Sequence, residues 1–365
     1  MKKLFTVLSA FLLLFMLSPV CLAAENGRDY YLDVWNGLDG ETKKLMESVG
    51  VDADAQSLAD ISPERVFNAV LSLFSSSAHD AVSGFCTVLA VMLAVSLLMS
   101  YGIKTNGLSG AAECIGGVCV MFSLLAVTNT VSETVISAAI LTEDFMLGVI
   151  PAFSGVIAMS GSPSLALSFN SIVLVFAQCI SGGFTSFLPA YTSVVTSVAA
   201  AGVINPFFAC EKLTALINKI ACGIASLVCG VFVAVLSIRG VIAGAADTVT
   251  IKGLRFLIGS SVPVVGSAIG DALNSVIASL GLIRHSVAAL ALTAAVLIAL
   301  PALIEVTVYK LSMSLLSVLA DILSLKKLSG FVDAINGVFS FYAAVLCFNT
   351  FVFVISIAIV LTIGK

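Results

Sequence analysis

Charge is what this sequence has least of. Charged residues fill 10% of its 365 positions and hydrophobic ones 59%, whereas soluble domains run near a quarter charged and about half apolar. A water-soluble core is excluded. The formal charge is −4, from 17 basic and 21 acidic residues, and no Lys/Arg run is longer than two, which excludes a basic surface built for nucleic acid. Only two histidines are present, His79 and His285, far apart and outside any H-E-x-x-H pattern, and the nine cysteines include no C-x-x-C pair. No metal and no cofactor are therefore expected. Apart from Cys21, the cysteines lie almost entirely in apolar runs, where they behave as small hydrophobes.

What is present begins with a leader. Lys2 and Lys3 precede an apolar stretch from Leu4 to Leu17, and Ser18 and Pro19 break it ahead of small residues, so residues 1–24 read as a signal peptide cleaved after Ala23 or Ala24. Cys21 raises lipidation, but Val20 stands where that processing wants a small residue; an uncleaved first anchor is the plainer alternative. Residues 25–80 hold eleven of the twenty-one acidic residues and, following a leader, are expected outside the cytoplasm. Within them Ser62 can cap a helix begun by Pro63. Val66, Phe67, Val70, Leu71 and Phe74 then share one face, making an amphipathic helix for the membrane surface or for a partner.

Residues 81–365 form a transmembrane domain of apolar segments near the length a bilayer core requires. The candidates are 82–103, 112–131, 165–188, 190–208, 220–238, 286–308, 311–325 and 338–363: about eight crossings, with six to nine as the range. Lipid offers backbone groups no partners, so the fold class is an all-α polytopic membrane protein. With an external N-terminus, alternation puts Lys104, Arg239, Lys252, Arg255, Lys326 and Lys327 inside as the positive-inside rule prefers, but leaves Lys212, Lys219 and Lys310 on the wrong side.

A spacing of about 112 residues relates Gly117-Val118 to Gly230-Val231, Gly148 to Gly259, Pro151 to Pro263 and Pro189-Ala190 to Pro301-Ala302. Units 112–208 and 220–325 would each hold three crossings, an odd number that sets the two copies in opposite orientations, as in transporters and channels. Chance alignment of Gly- and Ala-rich sequence is the alternative. Each unit carries a Gly/Pro interruption, one at Gly148 and Pro151 followed by Gly155, Gly161 and Pro163, and one at Gly259 and Pro263 followed by Gly266 and Gly270. These read as broken or re-entrant helices framing a pathway, or else as interfacial loops. Asp271 follows the second interruption, with Lys252 and Arg255 as candidate charge partners; a helix cap is its other reading. Glu305, four residues after Pro301, reads as interfacial. Ser314, Ser317, Asp321 and Ser324 recur at helical spacing as a polar stripe that lines a path or packs against a neighbour.

The stretch Lys252-Gly253-Leu254-Arg255-Phe256-Leu257-Ile258-Gly259, then Pro263-Val264-Val265-Gly266 and Asp271-Ala272, with the leader, the acidic region and the multi-spanning remainder, resembles the stage III sporulation protein AE family of endospore-forming bacteria. The resemblance covers most of the chain. It implies a multi-pass protein of the mother-cell membrane surrounding the forespore. It also implies that the chain works with the other stage III operon membrane proteins and a forespore-membrane partner in a transenvelope complex, the feeding tube, that supports late forespore development. A channel- or permease-like role follows from resemblance and broken helices together; a stand-alone secondary transporter and a non-transporting scaffold are the alternatives. Intramembrane proteolysis is disfavoured: Gly270-Asp271 is preceded by Ala268 where the aspartyl type wants glycine, and His285 stands beside Arg284 rather than near a serine nucleophile. No enzyme is expected.

Overall fold

The computed structural model describes residues 28–54, 57, 63–102, 109–178, 182–204, 210–261, 266–323 and 325–363. Among these the regular structure is all helical: α1 (Arg28–Asn36), α2 (Gly40–Val49), α3 (Pro63–Gly102), α4 (Ser109–Met159), α5 (Pro163–Ala177), α6 (Gly183–Ile204), α7 (Cys210–Ser261), α8 (Gly266–Ile322) and α9 (Lys326–Ile363). By length and composition α3, α4, α6, α7, α8 and α9 can each cross a membrane, and α5 is a shorter apolar helix. The architecture is that of an all-α polytopic membrane protein.

Local rules build the N-terminal pair. Asp39 caps α2 by accepting from the Thr42 N–H at 2.7 Å, and Gly50 ends the helix at φ 97°, a conformation side chains resist. Tyr31, Trp35, Met46 and Val49 are buried, and both helices lie against the bundle, α1 on α4 and α8, α2 on α3 and α8. The Tyr31 hydroxyl donates to the Asp52 carbonyl at 3.0 Å, and burial pushes its phenol well above the usual range. Pro63 does begin a helix, but α3 runs unbroken for 40 residues, so the amphipathic segment and the first crossing are one element. Its Val66 is buried while Phe67, Leu71 and Phe74 are exposed.

Side-chain contacts fix the direction of the long helices. Phe153 meets Phe169 with ring centroids 5.5 Å apart, and Gly117 lies against Val203; a single antiparallel register against α4 thus covers both α5 and α6, which are two halves of one traverse. α9 runs parallel to α4, since Tyr342 bonds Ser132, the Asn349 amide donates to the Ala139 carbonyl at 3.4 Å and Phe145 packs on Phe353. It also runs parallel to α7, because Gly330 lies against Glu211 and Gly337 against Asn218.

Among the described residues six traverses result, the low end of the expected range. Segments 165–188 and 190–208 belong to one traverse, and 286–308 and 311–325 both lie in α8, which continues through Pro301 because a proline kinks a helix without reversing it. Two sequence expectations fall with this. Each repeat unit holds two traverses, α4 with α5–α6 and α7 with α8; an even number keeps the copies in the same orientation, so the repeat is not inverted. Lys212, Lys219, Lys310 and the Lys326–Lys327 pair now gather toward one end of the bundle, with Arg239 and Lys252 displaced toward the other. The hairpin α8–α9 occupies the middle, with α3, α4, α6 and α7 packed around it.

Candidate functional site

Three polar features interrupt the apolar bundle. The first is the break between α4 and α5. Gly161 turns the chain at φ 90°, and the Ser162 side chain makes no capping bond at the head of α5. The cap comes from another helix instead. Asp247 of α7, only 4% exposed, accepts from the Ser164 N–H at 3.0 Å and the Leu165 N–H at 2.9 Å, one on each carboxylate oxygen. A buried carboxylate thereby meets the positive end of a helix dipole, and two otherwise orphaned donors are satisfied.

The second feature is an open-sided cavity of about 540 Å3 lined by α2, α3, α4 and α8. Its polar wall carries Glu41, Thr130, Glu133, Thr134 and Ser137; Leu297 and Pro301 of α8 lie opposite. Having no N–H, Pro301 leaves the Leu297 carbonyl without its helical donor, so the kink contributes a polar group beside the cavity. At its edge the Thr134 hydroxyl donates to Glu305 Oε1 at 3.3 Å.

The third is a hydroxyl network between α4, α6, α7 and α9. The Thr192 hydroxyl donates to the Leu188 carbonyl at 2.8 Å, which commits its proton, so the Tyr342 hydroxyl donates to Thr192 across 2.5 Å and takes Ser132 as its other partner. Next to it Tyr191 donates to Asn218 of α7. Polar side chains inside lipid seek partners on neighbouring helices, and these bonds join α4 and α6 to α9 and α6 to α7.

The family model for stage III sporulation protein AE matches residues 50–364. The chain belongs to the stage III sporulation protein AE family. It is 25% identical over 370 residues to the stage III sporulation protein AE of Bacillus subtilis (strain 168), covering 94% of this chain and 87% of that one. No solved structure matches.

In this stage III sporulation protein AE family member, Gly148 and Pro151 both lie exposed inside α4, which runs on to Met159. Within that interruption the chain breaks at its later members, Gly161 ahead of Pro163, because an internal proline such as Pro151 loses one ladder bond that the turns on either side carry across, whereas a positive φ ends the helix. In the second unit α7 continues through Gly259 to Ser261 and Gly266 opens α8. Pro263 and the side chains of Arg255 and Asp271 lie outside the described residues, as do Ala23, Ala24 and Ser324; Lys252 is exposed. In the polar stripe, Ser314 accepts from the Asn336 amide at 3.0 Å and Ser317 meets Ser329 at 3.4 Å, both on α9, while Asp321 is exposed. The serines therefore join α8 to α9. Sequence reasoning passed over Asp247, although a lone carboxylate in the small-residue run Ala243 to Thr250 is the kind of intramembrane charge that marks a partner.

Proposed function

We propose that this chain is a polytopic membrane component of the sporulation transenvelope complex between mother cell and forespore, with a channel- or permease-like part in late forespore development. It sits in the mother-cell membrane surrounding the forespore, together with other stage III operon membrane proteins and a forespore-membrane partner. The lysine-bearing end of the bundle faces the mother-cell cytoplasm by the positive-inside preference. The observation that carries the transport reading is the cavity at Pro301. A hydroxyl- and carboxylate-lined groove that opens on the flank of an apolar bundle is costly against lipid unless it holds water or a polar solute, and Pro301 leaves a freed backbone group beside it.

The test is to fill the cavity. Thr134→Phe and Ser137→Leu, each at parental membrane abundance, should lower both a late forespore reporter and the yield of heat-resistant spores about tenfold. Parental yield with the cavity filled rejects the transport reading and leaves the scaffold.

A further inference from the structure

The exposed face of α7 is too long for the membrane. Leu216, Ile220, Leu227, Ile238, Ile242 and Val249 all lie outward on one stripe that runs from Leu213 to Val249. At 1.5 Å per residue that stripe is about 54 Å long, against a hydrocarbon core of about 30 Å. A tilt of about 40°, the upper end of what transmembrane helices adopt, still leaves about 41 Å to cover. The hydrocarbon core therefore covers only part of it, and the remainder faces headgroups or a protein surface.

The same chain carries a matching charge pair at one height. Arg239 is exposed at the margin of this stripe, and Asp144 is exposed on α4; neither makes an ion pair among the described residues. α4 and α7 run parallel and are tied to α9 at known levels, Ser132 to Tyr342 and Asn218 to Gly337. Counting up from those ties puts Asp144 and Arg239 within about one helical turn of each other along the bundle axis. Rotation about the membrane normal keeps heights equal, so a neighbouring copy related by such an axis presents its Asp144 level with this Arg239.

We propose that the outward face of α7 docks on the α4 flank of a second copy of this chain, head to tail, with Arg239 of one copy paired to Asp144 of the next. A two-fold pairing of α7 with α7 is disfavoured, because it sets two Arg239 side chains near each other in a medium of low dielectric. The heterologous contact uses different surfaces on the two copies and therefore repeats from copy to copy, as a ring where the rotation closes.

The test places a photo-cross-linking amino acid at Ile242 in the full chain, in membranes of sporulating cells. The expected product has twice the mass of one chain, falls at least fivefold with Arg239→Glu and returns with Arg239→Glu combined with Asp144→Arg. Should Arg239→Glu lower the amount of monomer, Asp144→Arg alone reads the same contact from the other face, and the double variant again restores it. No product, a product whose mass is not a whole multiple of one chain, or products indifferent to the charge exchange overturn the proposal.

Discussion

Helices α7 and α8 are equally apolar and have opposite surroundings. The most apolar stretch of α8 has a mean hydropathy of 2.6 and is 89% buried; that of α7 has 2.5 and is 28% buried. Both helices are rich in small residues but place them differently, and α7 leaves Gly223, Gly230 and Ala234 exposed. Between Ile283 and Val306, α8 places Ala288, Ala291, Ala294, Ala295, Ala299 and Ala302 among larger residues, and all of them are buried, whereas α7 turns leucine, isoleucine and valine outward. In lipid the hydrophobic effect gives helices no reason to associate, and small residues win the centre of a bundle because they let backbones approach and dispersion contacts accumulate. Hydropathy selects the membrane; it does not select the position within it.

The comparison breaks most readily by overfilling α8. Ala294→Phe, at a position with no exposure, should cost about 3 kcal/mol or prevent folding, while Ala234→Phe on the exposed face of α7 should change stability by less than about 0.5 kcal/mol. Unfolding of the detergent-solubilised protein by sodium dodecyl sulfate, followed by helicity, reads both. Equal losses would show that α7 is enclosed as tightly as α8.

Asp247 is the point where the exposed helix reaches inward, and its removal ranks next. Asp247→Ala leaves the Ser164 and Leu165 N–H groups buried without acceptors and should cost about 2 kcal/mol, with Asp247→Asn near half of that because one oxygen still accepts. Protease sensitivity at the α4–α5 break should rise in the same order. Identical behaviour of the two variants would mean that charge, not acceptance, matters at this cap. Tyr342→Phe comes below it at about 1 kcal/mol: the hydroxyl donates to Thr192, which keeps its own bond to Leu188 when the donor is lost.

Membrane class, the helical content and the family were legible in the sequence, because composition and the Lys252 to Asp271 stretch do not depend on tertiary contacts. The number of traverses was not. Nothing local in Pro301-Ala302 or Lys310 distinguishes a kink within α8 from a turn between two crossings, and only the packing of α8 as one rod decides it. The same holds for the first break. The interruption from Gly148 to Pro163 offers two places to break, and the chain turns at Ser160-Gly161-Ser162, where Asp247, 86 residues beyond Gly161, supplies the acceptor that makes the turn affordable in an apolar setting. Cross-helix capping of that kind has no signature in a window of neighbouring residues. The polar stripe on α8 was visible by its spacing, but whether Ser314 and Ser317 meet water or a helix depended on Asn336 and Ser329.

The smallest effect is also the sharpest probe of the comparison, because it makes one substitution in both helices. Leu290 of α8 has no exposure and Leu227 of α7 is 67% exposed. In Leu290→Ala the lost methyl groups leave a space that the neighbouring helices close only in part, and the transfer of leucine from lipid to protein supplies little either way, so the cost is the cavity: about 2 kcal/mol. In Leu227→Ala detergent or lipid flows into the vacated volume in folded and unfolded states alike, and the change should stay within about 0.5 kcal/mol for the monomer. Measuring both in the same detergent removes differences between lipid environments. A Leu227→Ala monomer that loses as much stability as Leu290→Ala would mean that the α7 face is packed within a single chain, and the contrast in burial would then fail to separate the two helices.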